Sequence, residues 1–296
     1  MSPCHAPALH GQIALVAGAT RGCGRAIAVE LGAAGATVYG TGRTTRTHRS
    51  PMNRPETIEE TAELVDAAGG TGIAVQVDHT EPDQVESLIA RIRAEQGGRL
   101  DILVNDVWGG DDLTPWGRRF WEQSLENGLL MLRQAIHSHI ITSHYALPLM
   151  LERGTGLLVE VTDGDNLNYR GQLYYDLVKT SVMRLALALD HELRQHSDAN
   201  AITSLAVTPG YLRSEAMLDR FGVKEANWRD AIDQDVDFAV SETPRFLGRV
   251  VAALAADPDV ARYAGQTLAS WDLAKVYQVD DVDGRRPDWG SYTPVN

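Results

Sequence analysis

QIALVAGATRGCGRAIAVELGAAGATVYGTGR, residues 12–43, decides the fold. It opens on a continuous apolar run, QIALVAG (12–18), with the length and composition of a strand buried on both faces. Glycines at 18, 22 and 24 follow, then a small-residue helix, AIAVELGAAG (26–35), and a second strand, ATVYGTG (36–42). Strand, glycine turn and helix in that order gather backbone N–H groups and the positive end of a helix dipole at one point. That arrangement suits a pyrophosphate. Gly18, Gly22 and Gly24 let the chain turn sharply and approach such an anion closely, with Thr20, Arg21 and Cys23 between them.

Outward from this stretch the same alternation continues. Residues 56–68 have helical spacing and stop at Gly69-Gly70, and GIAVQVD (72–78) reads as a third strand. Thr80, followed by Glu81 and Pro82, is expected to cap a helix reaching about Gln96. DILVND (101–106), LLVEVTD (157–163) and AITSLAVTPG (201–210) are further strands, with helices over 172–196 and 242–258. The stretch 43–55 is polar and without apolar period, so it is a loop and not a domain boundary. The reading is one α/β domain over residues 1–296: a Rossmann-type doubly wound parallel sheet with helices on both faces.

Composition narrows the function. A net charge of −13 argues against a nucleic-acid partner, whose phosphates need a basic surface. Two cysteines, Cys4 and Cys23, exclude a disulfide framework and fit a reducing compartment. No apolar run approaches the ~18 residues that cross a bilayer, and no leader pattern is present, so a soluble cytoplasmic protein without a membrane partner is expected. The charge is uneven. Residues 1–55 hold six arginines (21, 25, 43, 46, 49 and 54) against Glu30 alone, a local +5, while the remainder carries −18.

The second strand bears on that asymmetry. A site for NAD usually places an acid at the end of this strand to bind the ribose 2′-hydroxyl. Here the strand ends in Gly42-Arg43, and no acid lies between Glu30 and Glu56. Arg43, with Arg21 from the glycine turn, favours a 2′-phosphate, so NADP(H) is expected over NAD(H). Arg46, Arg49 and Arg54 read as loop arginines facing solvent.

Tyr175 and Lys179 lie one helical turn apart on one face. An ammonium there favours phenolate, which would lower the tyrosine toward the range useful for proton transfer.

In order along the chain, these motifs resemble the short-chain dehydrogenase/reductase superfamily. The glycine turn, Asp78 at the end of the third strand, Asn105 after the fourth, Tyr175-x3-Lys179, and Pro209-Gly210 with Ser214 after the sixth all match its pattern. The segments HELRQH (191–196) and DLAKVYQVDDVDG (272–284) are similar to its dehydrogenase/reductase member one branch. The resemblance implies that Asp78 contacts adenine, Ser214 the nicotinamide amide and Lys179 the nicotinamide ribose, while Tyr175 transfers the proton. It also implies a homodimer or homotetramer built on the long helices flanking the fifth strand.

Two features of the family pattern are missing, its serine before the tyrosine and its helical asparagine. Thr162 and Asp163 stand where the family's serine is expected; a threonine hydroxyl can polarise a carbonyl, whereas an ionised aspartate repels the oxyanion that hydride delivery creates. Either is expected to orient the substrate, Asp163 only if protonated or by binding a hydroxyl or amine. The family's helical asparagine falls near Ala135.

His137, His139 and His144 read as helix surface or subunit contact, not as a metal site. Trp108, Asp111, Asp112, Trp116 and Trp121 either wall a substrate pocket or pack against a neighbouring subunit. Residues 211–235, with Met217, Phe221 and Trp228, are either a substrate lid or a structural insert. Cys23 is read as packing, not as a reactive thiol.

The leading expectation is an NADP(H)-dependent oxidoreductase acting on a carbonyl or alcohol of a small organic substrate. The alternatives are a cofactor-binding protein with little redox activity, and a non-redox lyase or isomerase using Tyr175 and Asp163.

Overall fold

In the computed structural model, which describes residues 8–196, 199 and 201–293, β1 (Ile13–Ala17) lies inside an all-parallel sheet. On one side it pairs with β2 (Thr37–Gly42), which carries β3 (Thr71–Gln76). On the other it pairs with β4 (Ile102–Asn105), and the sheet continues through β5 (Thr155–Val161) and β6 (Ala201–Thr208) to β7 (Thr267–Ala269). The order among the described residues is β3-β2-β1-β4-β5-β6-β7. The chain reverses its direction of travel across the sheet between β1 and β4, which opens a crevice at the carboxyl ends of the strands. Strand β7 was not read from the sequence: three residues, two of them only half-buried, carry no detectable period. Cys4 lies outside the described residues.

Alternate residues of each strand feed two cores. Ala14, Val16, Ile102, Val104, Leu157, Val159, Leu205 and Val207 face α1 (Gly22–Ala33), α8 (Pro244–Ala256) and α9 (Ser270–Tyr277). Ile13, Leu15, Leu103, Leu158 and Ile202 face α3 (Pro82–Glu95), α5 (Ser138–Arg153) and the end of α6 (Leu173–Leu193). Both faces are covered, so the strands are apolar on both sides and read as continuous runs. Each fully buried Leu, Ile or Val contributes about 1.5–3 kcal/mol. Glu30 in α1 is nearly buried and is held by Arg245 (2.6 Å) and Arg249 (3.2 Å) of α8, which fixes the helix behind the glycine turn. Arg25, one turn earlier, ties α1 to α2 (Ile58–Ala67) through Glu60 at 2.7 Å.

Thr80 does not cap α3. Its N–H and hydroxyl both donate to Asp78 Oδ1 (3.0 and 2.8 Å), and Glu81 takes the cap position without a side-chain bond. Pro82 as the first helical residue needs no N–H partner, which accounts for the unassisted start. Between α4 (Leu125–Leu132) and α5 the helix widens into a π turn over Arg133–His137.

Candidate active site

The carboxyl ends of the strands open onto a cleft of about 1260 Å³. Small-ligand pockets run to roughly 1,000 Å³, so this one has room for a dinucleotide and a second small molecule.

The glycine turn lines one side of it. Gly18 has φ +90°, and a Cβ there would lie 2.5 Å from the Asp106 carbonyl oxygen. Gly22 has φ +57° and faces open space. Its N–H donates to the carboxylate of Glu215 (3.0 Å), the first residue of α7 (Glu215–Phe221). An anion already sits on the N-terminus of α1, as the helix dipole favours. The donors therefore fit a dinucleotide pyrophosphate.

Thr20, Arg21, Arg43, Asp78, Pro209, Gly210 and Ser214 line the same cleft. Arg21 lies against Met52 Sδ (2.8 Å), and Arg43 stands 3.8 Å from Asp78. Arg54 also lines the cleft, bonded to Glu56 and Asp219 (2.7 and 2.9 Å), so it is not the solvent-facing arginine the loop composition implied. Arg46, by contrast, pairs with Glu63 at the surface. Cys23 lines the cleft but is buried, and burial pushes its thiol well above the usual range, in keeping with a packing role.

Asn105 is corrected from cofactor ligand to support. Fully buried behind the cleft, it donates to Ser143 Oγ (3.0 Å) and Glu160 Oε1 (2.8 Å). Gly24 likewise packs behind the turn, against the Gly18 carbonyl.

Glu160 is the centre of a network that the sequence concealed. Its other oxygen meets His139 Nδ1 at 2.5 Å, and His139 Nε2 meets the Val107 carbonyl at 3.1 Å. A carbonyl only accepts, so Nε2 carries a proton, and a further proton lies between Nδ1 and the carboxylate. His139 is therefore a core residue, not helix surface, whereas His137 and His144 are exposed as expected. The network pins the segment Val107–Trp108 that leads into the half of the cleft around Tyr175. Asp106 beside it is pushed up to about 7 by burial, opposed by Lys179 and His139.

At the floor of that half, the Tyr175 hydroxyl donates to Asp163 Oδ2 (2.9 Å). Thr162, the other serine equivalent, donates its hydroxyl to the Lys179 carbonyl (2.8 Å), so it braces α6 and is not free to polarise a substrate. Lys179 Nζ sits 4.3 Å from the Trp108 ring centre and 5.4 Å from that of Tyr175. Its charge does not prevail at the phenol. Burial first, then Asp163 and Asp111, push Tyr175 well above its ordinary range, the reverse of the lowering expected from Lys179.

Trp108 and Trp116 meet the Tyr175 ring edge-on, with centroids 5.3 and 5.1 Å away, and both line the cleft. They wall the pocket, while Trp121 stands out in solvent. Ala135 is buried in the π turn, and its neighbour Gln134 reaches the cleft instead, with a buried, unpartnered Oε1.

Residues 211–235 divide in two. Met217 and Glu215 line the cleft, whereas Phe221 and Trp228 pack around Phe238 in a small separate core. Arg213 anchors that core, fully buried beneath the Trp228 ring (4.2 Å) and bonded to Glu225 at 2.8 Å. Trp271 and Trp289 from the C-terminal region also line the cleft, and no local motif announced them.

The short chain dehydrogenase family profile matches residues 12–222. Dehydrogenase/reductase SDR family member 1 of Mus musculus is 34% identical over 281 residues, covering 94% of this chain and 85% of that protein. A short chain dehydrogenase structure from Mycobacterium thermoresistibile superposes with a TM-score of 0.78 at 24% identity, covering 97% of this chain and 95% of that one. A Beutenbergia cavernae structure, described as an NAD(P) dependent gluconate 5-dehydrogenase with bound NADP, gives 0.69 at 24% identity, covering 89% and 97%. Sheet order, glycine turn and these matches agree: the chain belongs to the short-chain dehydrogenase/reductase family of oxidoreductases.

Proposed function

We propose that the protein is an NADP(H)-dependent oxidoreductase acting at a carbonyl or alcohol carbon, or its nitrogen counterpart, in a small organic substrate. When bound, the nicotinamide supplies or takes up the hydride. The observation that carries the reading is the meeting, in one cleft, of an anion-binding glycine turn with Tyr175 and Lys179. Tyr175 holds or moves the proton at the reacting heteroatom, and Lys179 brings its positive charge beside the phenol and toward the ribose. Asp163 orients the substrate. Arg21, Arg43 and Arg54 around the end of β2, where no carboxylate closes the strand, support the phosphorylated cofactor. Asp78 and Ser214 line the cleft and suit contacts to the adenine and the nicotinamide amide.

Residues 211–217 are the part of the lid candidate that would close on substrate. Exposed apolar side chains on α4, α5 and α6, among them Leu125, Leu129, Ile140, Leu177 and Leu187, support a homo-oligomer through those helices. The scarcity of cysteine supports a reducing, cytoplasmic setting.

The Tyr175–Asp163 hydrogen bond also favours a second reading, acid/base chemistry without net redox. A screen of ketones, aldehydes, cyclic imines and quinones for NADPH oxidation, with Tyr175→Phe as control, separates the two. Oxidation of NADPH by any of them supports the oxidoreductase, and with the carbonyl compounds it should disappear in the variant. Substrate conversion without NADPH consumption supports the second reading.

A further inference from the structure

The heteroatom bonded to a reacting carbon would lie against the Tyr175 hydroxyl, and its surroundings there are unusual for a neutral carbonyl. A site for ketone reduction needs hydrogen-bond donors aimed at the developing alkoxide. Here the Tyr175 hydroxyl gives its proton to the Asp163 carboxylate (2.9 Å), and the Thr162 hydroxyl is spent on the Lys179 carbonyl (2.8 Å). Asp111, held by the Trp108 indole N–H at 2.6 Å, adds a second carboxylate at the same end. Arg170 is the nearest guanidinium, 4.0 Å from Asp163, but it is shared with Asp176 at 3.5 Å and with the Asn166 and Asn168 carbonyls. An alkoxide formed beside Asp163 meets repulsion, and a positive charge there meets attraction. Of the walls, Trp108 already carries the Lys179 ammonium on its face (4.3 Å), whereas Trp116, half-exposed beside Tyr175, offers an open aromatic surface of the kind cations prefer.

We propose that the substrate carries a basic nitrogen on its reacting carbon, as an iminium or the corresponding amine, with Asp163 as its counter-ion and the Trp116 ring as the aromatic wall beside it. This rests on the oxidoreductase reading and narrows it to C=N and CH–N bonds. On reduction the carbon accepts a hydride, of which reduced nicotinamide is the two-electron donor, and the C=N π pair withdraws to nitrogen. A cation becomes a neutral amine, no alkoxide forms, and the bond change itself requires no proton. In the reverse direction the amine lone pair makes the π bond as hydride departs, and Asp163 stabilises the cation that develops.

The test pairs five-membered rings that carry nitrogen with five-membered rings that carry oxygen. NADPH oxidation by the full-length protein is followed with 2-methyl-1-pyrroline, a cyclic imine that protonates near neutrality, and with 2-methylcyclopentanone. Separately, calorimetry compares pyrrolidinium with cyclopentanol on the protein without cofactor. One charge-assisted contact predicts a preference on the order of tenfold or more for the nitrogen compound in both measurements. Asp163→Asn is expected to erase it while NADPH binding persists, which shows that the variant is folded. Equal or faster turnover of the ketone, or equal binding of cyclopentanol, overturns the proposal and leaves the oxidoreductase reading in place. Absence of NADPH binding overturns the oxidoreductase reading, and the calorimetric comparison still decides the charge preference.

Discussion

At the Tyr175 hydroxyl two demands oppose each other. Proton transfer near neutrality calls for a phenol whose anion is stabilised, yet burial and the Asp163 carboxylate both favour the neutral form in the unliganded protein. Replacing Asp163 with Asn removes the second cause, so the Tyr175 ionisation is expected to move to lower pH. The wild-type minus Tyr175→Phe difference in tyrosinate absorbance, compared with the same difference in an Asp163→Asn background, measures it; an unmoved ionisation shows that burial alone sets the phenol. With a carbonyl substrate Tyr175→Phe should lower turnover by about 10²–10⁴-fold with cofactor affinity retained, the usual range for losing a general acid, whereas an iminium, whose reduction needs no proton, should lose less. The Tyr175-x3-Lys179 pair was legible in the sequence because both residues belong to one helix and one face. The choice between Thr162 and Asp163 was not. What separates them is a Thr162 hydroxyl that reaches the Lys179 backbone across two elements, which spacing along a strand does not encode.

Elements meet at the N-terminus of α1, where the Glu215 carboxylate of α7 accepts from the Gly22 N–H. A cofactor pyrophosphate requires the same donors, so the two anions compete. Glu215→Gln should tighten NADPH binding several-fold, equivalent to about 0.5–1 kcal/mol, as read by calorimetry; unchanged affinity would mean that Glu215 swings clear without penalty. The His139–Glu160 pair joins α5 to β5 under the active site and holds the Val107 carbonyl. Removing one partner leaves the other buried with its charge unmatched, so His139→Leu should destabilise by roughly 3–5 kcal/mol in urea. The His139→Leu/Glu160→Leu double variant should recover part of that loss. Glu160 looked like one more position in the apolar run LLVEVTD, and His139 like one of several surface histidines. Only the pairing of two separate elements reveals them as partners.

Across the whole molecule, the fold was legible because a sheet covered on both faces writes itself as continuous apolar runs. The exceptions were β7 and the C-terminal tryptophans, which are placed by tertiary packing and not by local pattern. One buried acid gives the molecule a pH signature. Glu242 is pushed up to about 8, by burial first, with the Ser270 hydroxyl and the Gly210 N–H opposing the shift. Its ordinary value is about 4.3, so its stabilising contribution is complete below that and is lost as pH rises through about 8, at no more than about 1.4 kcal/mol per pH unit. Urea midpoints should therefore fall between about pH 5 and 8, less steeply in Glu242→Gln. A slope unaffected by the substitution would assign it elsewhere, with Asp106 the next buried acid, at about 7.

The net charge divides along the same lines. Of the six arginines in the first 55 residues, Arg21, Arg43 and Arg54 line the cleft. Titration of the protein with NADPH and with NADH, repeated with Arg43→Ala, decides whether these arginines select the phosphorylated cofactor. NADPH should bind tighter by on the order of tenfold or more, with the preference sharply reduced in the variant. Equal affinity, or tighter NADH, would contradict it.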